Sequence, residues 1–291
     1  MPNTLSDMDW DLLLRRIASG RCTPFLGAGA SYPALPLGSE IAQRWAESFG
    51  YPLASSRDLP KVAQFLAINR DPLFPHEELI KLIKSAAPPK FNESDEPHGL
   101  LAELPLSVYM TTNCDSFMVW ALKGRYRDAR RAPCKWNAAT EGYPSVFDTE
   151  PGYQPTPANP LVFHLHGYDD LAESLVLTED DYLDFLVSLS RQEELLPVPV
   201  KRALAVDSLL FIGYSLADWN LRVILRGLRI RSRMSIAVLL PPTETASDKA
   251  QEYMTRYYRQ IEDMDLRIYW GTAREFTAEL RQRWAVFRAP L

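Results

Sequence analysis

The sequence predicts an α/β fold: an open parallel sheet of about six strands, covered by helices on both faces and interrupted by a helical insertion. Two observations carry this expectation. Short β-rich apolar runs recur at residues 22–26, 107–112, 161–165, 208–212, 235–240 and 266–270. Stretches with helical spacing separate them, as expected of a sheet buried on both faces. A chain of 291 residues that is 46% hydrophobic can fill a core of that size.

The first run ends in Gly27-Ala28-Gly29-Ala30-Ser31. Roughly eighty residues then precede the second run, far more than one crossover requires. Helical patterns near 38–49, 59–68 and 77–86 make 38–96 a helical insertion, a lid over the sheet. Residues 123–159, rich in Pro, Gly and polar side chains, read as a loop-rich excursion. After the third run Thr178 is a helix N-cap with Asp181 three residues on, and Tyr182, Phe185, Leu186 and Leu189 follow at helical spacing. Residues 243–264 and 272–287 read as the last helices. The expected organisation is a single domain, 1–291, with its core in 1–37, 97–122 and 160–291.

The net charge of -5 argues against direct nucleic-acid binding. The basic run from Lys123 to Lys135 reads as a solvated loop. Three cysteines, Cys22, Cys114 and Cys134, form no CxxC pair and suit a reducing compartment. The first residues lack the apolar core of a signal peptide, and no apolar stretch approaches the length of a membrane helix, so no membrane association and a cytoplasmic location are expected.

Four clusters stand at the ends of four strands, the edge where an open parallel sheet takes its ligands. In the first, Gly27, Ala28 and Gly29 let backbone amides approach a phosphate, and Ser31 adds a hydroxyl; a ligand-free tight turn has the same composition. In Thr111-Thr112-Asn113-Cys114-Asp115 an amide and a carboxylate project from the second strand, a pattern shared with an Asx turn. In His164-Leu165-His166-Gly167 alternation puts both histidines on one face, where an imidazole can move protons near neutral pH. The fourth cluster, Gly213-Tyr214-Ser215-Leu216, pairs a glycine with a hydroxyl, and Asp218 follows at a helix start.

In this order the four clusters resemble the sirtuins. The glycine motif is followed by Pro97-His98 before a Leu-rich helix, then Thr112-Asn113-Cys114-Asp115, His166-Gly167 and Gly213-Tyr214-Ser215-Leu216. The resemblance spans about residues 20–275 and implies a Rossmann-like sheet that binds NAD. Two features of sirtuin deacylases are missing. No cysteine lies beyond Cys134, so there is no zinc module, and Tyr32-Pro33-Ala34-Leu35-Pro36 stands where a Pro-Asp-Phe-Arg stretch would be. The zinc-less pattern is similar to the sirtuin-like NAD hydrolases of bacterial antiphage defence systems.

That resemblance implies an NAD+ glycohydrolase with NAD as substrate and no metal. Gly27, Ala28, Gly29 and Ser31 would cradle the pyrophosphate, and Gly213 and Ser215 would bind on the adenosine-ribose side. Asp115 would accept from the nicotinamide carboxamide. Asn113 would fix the ribose or the attacking water, and His166 would take a proton. It further implies a homo-oligomer controlled by a partner such as a HerA-like ring ATPase or an Argonaute-type protein. A protein deacylase and a non-catalytic NAD or ADP-ribose sensor are the alternatives.

Overall fold

A computed structural model describes residues 5–191, 195–214, 234–241, 247–259 and 265–289. Its centre is one seven-stranded sheet in the order β3-β4-β2-β1-β5-β6-β7, all neighbours parallel. The strands are β1 (Cys22–Leu26), β2 (Val108–Thr111), β3 (Arg130–Pro133), β4 (Leu161–His164), β5 (Ser208–Tyr214), β6 (Ser235–Leu239) and β7 (Leu266–Trp270). Strands that follow β1 add first on its β2 side and then, from β5, on the other. The order therefore reverses between β1 and β5, where the carboxyl ends of an open sheet leave a crevice for ligands.

The period-two pattern of the strands builds two faces. Phe25, Met110, Phe163 and Phe211 enter one core, closed by α9 (Glu179–Arg191) and α10 (Val198–Val206) through Phe185, Leu189 and Val200. Leu26, Tyr109, Val162 and Ile212 enter the other. That second face is closed by α1 (Asp7–Ala18), α5 (Pro97–Glu103), α6 (Phe117–Gly124) and α12 (Ala273–Arg288). Each fully buried Phe among these contributes about 1.5–3 kcal/mol of hydrophobic stabilisation.

The helices between β1 and β2 form a third cluster. They are α2 (Gly38–Phe49), α3 (Leu59–Asn69) and α4 (Phe74–Ser85). Ile41, Trp45, Val62, Leu66, Leu79 and Ile83 pack together and against Phe117, Leu175 and Leu177, which belong to the segments leaving β2 and β4. The insertion thus rests on the carboxyl edge of the sheet.

The sheet has one strand more than the sequence pattern indicates. β3 lies in the excursion read as loop, with α7 (Ala138–Glu141) and α8 (Val146–Thr149). Its four residues, Arg-Arg-Ala-Pro, carry no alternating apolar signal. They suit an edge strand, where charges and a proline discourage further pairing. The basic run is also not simply solvated. Arg127 donates to the carbonyls of Ala102, Leu104 and Leu106 and to the Tyr109 hydroxyl, capping the end of α5, and Lys135 pairs with Asp148. Of the helix expected over 243–264, the described part is α11 (Ser247–Arg259). No helix among the described residues is long and apolar enough to cross a membrane.

Candidate active site

The glycine loop leaves β1 as a single 3-10 turn, Ala28–Ala30, and packs directly on the end of β5. The Gly27 amide donates to the Ile212 carbonyl over 2.9 Å. A Cβ on Gly29 would lie 2.9 Å from Gly213 Cα. One on Gly213 would lie 2.2 Å from the Ala30 nitrogen and 2.7 Å from the Gly27 oxygen. Gly213 also has φ +85°, a left-handed conformation that strongly favours glycine. The need for glycine at 27, 29 and 213 thus comes from close packing of two strand tips, whereas the sequence reading assigned it to close approach of a ligand. Ser215, Leu216 and Asp218 lie outside the described residues.

The tip of β2 is tied to this loop by a continuous set of hydrogen bonds. The Leu26 carbonyl accepts from the Thr112 amide at 3.0 Å, the Thr111 hydroxyl at 3.1 Å and the Tyr214 hydroxyl at 3.0 Å. Asn113 Nδ2 donates to the Gly27 carbonyl and to Ser31 Oγ, both at 3.0 Å. Ser31 Oγ donates onward to Asp115 Oδ2 at 2.8 Å, and Asp115 Oδ1 accepts from the Phe117 amide at 3.0 Å. Ser31 and Asp115 are buried. The structure therefore brings together three of the expected residues, Asn113, Ser31 and Asp115, around the glycine loop. The Asn113 amide nitrogen is committed to holding that loop, which leaves Oδ1 as the atom able to meet a ribose hydroxyl or water.

The tip of β4 is different. His164 Nδ1 lies 3.0 Å from the Asn113 carbonyl, and since a carbonyl only accepts, Nδ1 carries the proton. Burial, then the nearby Arg131 charge, lowers the His164 pKa to about 3, so the ring is neutral and Nε2 is a bare acceptor without a partner among the described residues. β4 ends at His164, so strand alternation does not carry His166 to the same face. The His166 ring instead stands edge-on to Tyr182 and Phe185 of α9, with centroids 5.4 and 5.0 Å away. It is 4% exposed, its Nε2 has no hydrogen-bond partner among the described residues, and burial lowers its pKa to about 3. Expected in an open cleft, it is covered because α9 packs against the turn that follows β4. Gly167, at φ +78°, makes that turn, and a Cβ there would meet the Ser174 carbonyl oxygen at 2.2 Å.

Cys114 adds no nucleophile. Burial first, then the carboxylates of Asp115 and Asp169, pushes its thiol up, so it stays protonated at neutral pH. Among the described residues no group of three His, Cys, Asp or Glu side chains is placed to hold a metal ion. A cavity of about 250 Å³ opens beside the glycine loop between Ser31, Tyr32, Lys90, Glu96 and Arg274. It is smaller than the clefts of about 300–1,000 Å³ that hold whole cofactors. Two residues important to the site escaped sequence reading. Tyr214 was visible only as part of a Gly-Tyr-Ser run, yet its hydroxyl joins the tips of β1, β2 and β5. Arg131, hidden in a basic run, reaches Ser116 at 2.7 Å and Asp169 at 3.1 Å and anchors the turn after His166.

The chain is similar to several known proteins. The chain is 26% identical over 230 residues to the NAD(+) hydrolase ThsA of Enterococcus faecium, covering 76% of this chain and 44% of that protein. It is also 26% identical over 230 residues to the NAD(+) hydrolase ThsA of Acinetobacter baumannii, covering 76% and 42%. The match thus spans less than half the length of these relatives. A solved Sir2 enzyme superposes with a TM-score of 0.39 and 11% identity, covering 97% of this chain and 99% of that one. The SIR2-like domain profile matches residues 107–268, which include the tips of β2, β4 and β5. With that match over more than half its length, the chain belongs to the SIR2-like domain family.

Proposed function

We propose that this protein is an NAD+ glycohydrolase: it cleaves the nicotinamide–ribose bond of NAD and releases nicotinamide and ADP-ribose. The observation that carries the reading is the hydrogen-bonded set Asn113–Ser31–Asp115, held against the glycine loop where the strand order reverses, in a chain whose relatives are named NAD(+) hydrolases. Gly27, Ala28, Gly29 and Ser31 take the diphosphate, with Gly213 and Ser215 on the adenosine-ribose side. Asp115 keeps unshared lone pairs beside those already bonded and can accept from a carboxamide NH2 group. Asn113 orients the ribose or the water through Oδ1. His166 receives the proton from water or a ribose hydroxyl, as general bases in glycoside cleavage do.

In this proposal the protein acts in the cytoplasm as a homo-oligomer and depletes NAD in antiphage defence. A protein partner, such as a HerA-like ring ATPase or an Argonaute-type protein, controls it. The decisive measurement is nicotinamide release from NAD by the purified protein, alone and with the product of its neighbouring gene. Release in either condition supports the reading. Tight NAD binding with no release in both conditions points instead to a sensor.

A further inference from the structure

A base must reach the atom whose proton it takes, and among the described residues no polar atom reaches His166 Nε2. That nitrogen is buried, a costly arrangement for an unpaired polar atom, and among the described residues the rings packed against it belong to a single helix. The first turn of that helix is fastened to the insertion by side-chain contacts that span more than a hundred residues of sequence. Gln64 of α3 makes a reciprocal pair with Asp180: Nε2 donates to the carboxylate at 2.8 Å, and the Asp180 amide donates to Gln64 Oε1 at 3.0 Å. His76 of α4 meets Asp181 Oδ2 at 2.9 Å, and that same oxygen accepts from the amides of Leu177 and Thr178. Tyr182, the cover itself, is the next residue along.

We infer that α9 is an autoinhibitory cover over His166, held shut by the Gln64–Asp180 and His76–Asp181 contacts between the insertion and the helix. The inference rests on the proposed role of His166 as base and concerns how that role is withheld. The latch residues are polar, and Asp180 lies at the surface. A partner that grips the insertion can therefore swing the first turn of α9, and Tyr182 with it, while Phe185 and Leu189 stay in the core. Opening also returns the imidazole to water, where its basicity suits neutral pH.

The test reads the accessibility of His166 separately from activity. Diethyl pyrocarbonate modifies accessible imidazole nitrogens, and peptide mass spectrometry resolves all four histidines, which are buried here. His98, hydrogen-bonded to Glu96 in α5, is the internal control. Gln64→Ala, alone and combined with His76→Gln, is expected to raise the rate of His166 modification about tenfold, the size of shift that loss of a few polar contacts gives a two-state equilibrium. His98 should stay protected, and nicotinamide release should rise by a similar factor. The inference is overturned if wild-type His166 reacts as fast as a free imidazole. It is overturned equally if the double variant protects His166 as wild type does, or if His98 becomes reactive in step with it, which would mark general loosening. If His166 is freed and no nicotinamide appears, the cover stands and the glycohydrolase reading fails.

Discussion

The tips of β2 and β4 are neighbours in the sheet, with Thr111 in register with His164, yet they are built on opposite terms. At β2 nearly every polar atom has a partner: Asn113, Ser31 and Asp115 satisfy one another and the glycine loop. At β4 two histidines are buried with their Nε2 atoms unpartnered among the described residues, and each is held neutral. A satisfied network is rigid and ready to receive a ligand without rearrangement. A buried, unpartnered imidazole is neither, and it costs stability in the closed state. One tip is a hydrogen-bonded network, while its neighbour holds two imidazoles in apolar burial.

The sharpest way to break this contrast is to replace His166 and compare activity with stability. His166→Phe fills the same apolar pocket and removes the orphan nitrogen. Nicotinamide release should fall about 100- to 10,000-fold, the usual range for loss of a general base, while the melting temperature holds or rises. If activity survives in the folded variant, His166 is a core residue and the base lies elsewhere. Next in size is the joint between the two glycine segments. Gly213→Ala puts a methyl group into the Ala30 and Gly27 backbone at a positive φ and should cost about 2–5 kcal/mol by denaturant melting. A variant as stable as wild type would show that the β1 and β5 tips are not in contact.

Asn113→Ala should lose a comparable factor in activity but, unlike His166→Phe, should also lower stability, by about 1–3 kcal/mol, because two hydrogen bonds disappear and the Gly27 and Ser31 oxygens lose their donor. Equal stability with lost activity would make Asn113 purely catalytic. The last effect is the acid limb, which is graded with pH. His164 and His166 have folded pKa values near 3, below the ordinary 6.5. Between those values the unfolded chain binds protons that the folded one refuses, so stability falls as pH drops through this window and is complete above about 6.5. Each ring adds at most about 1.4 kcal/mol per pH unit. Thermal melts from pH 7 to pH 4 should show the loss, and His166→Phe should make it shallower. An unchanged slope would mean that His166 is already solvated.

The elements that can be read from the sequence are those whose signal is local. The runs behind β1, β2, β4, β5, β6 and β7 each carry an apolar stretch closed by glycine, proline or a polar cluster, so periodicity alone locates them. The capping box that starts α9 is equally local: the Asp181 amide meets the Thr178 hydroxyl at 3.1 Å, and the Thr178 amide meets the Asp181 carboxylate at 2.7 Å. β3 escapes because an edge strand of two arginines, an alanine and a proline is held by pairing with β4, and nothing in its own composition requires it.

Sequence by itself determined six of the seven strands, most of the helices and the polar clusters at the carboxyl edge of the sheet, because apolar period, capping residues and turn glycines act over a few residues. It also placed Asn113, Ser31 and Asp115 among the candidates, since each sits just past a strand end. Only the tertiary structure decided how they are used. Whether a glycine faces a ligand or another strand depends on β5, which returns to β1 nearly two hundred residues later. Whether the His166 ring is open or covered depends on a helix fastened by contacts from Gln64 and His76 across more than a hundred residues. Burial and hydrogen-bond satisfaction belong to the packed chain, and no window of sequence contains them.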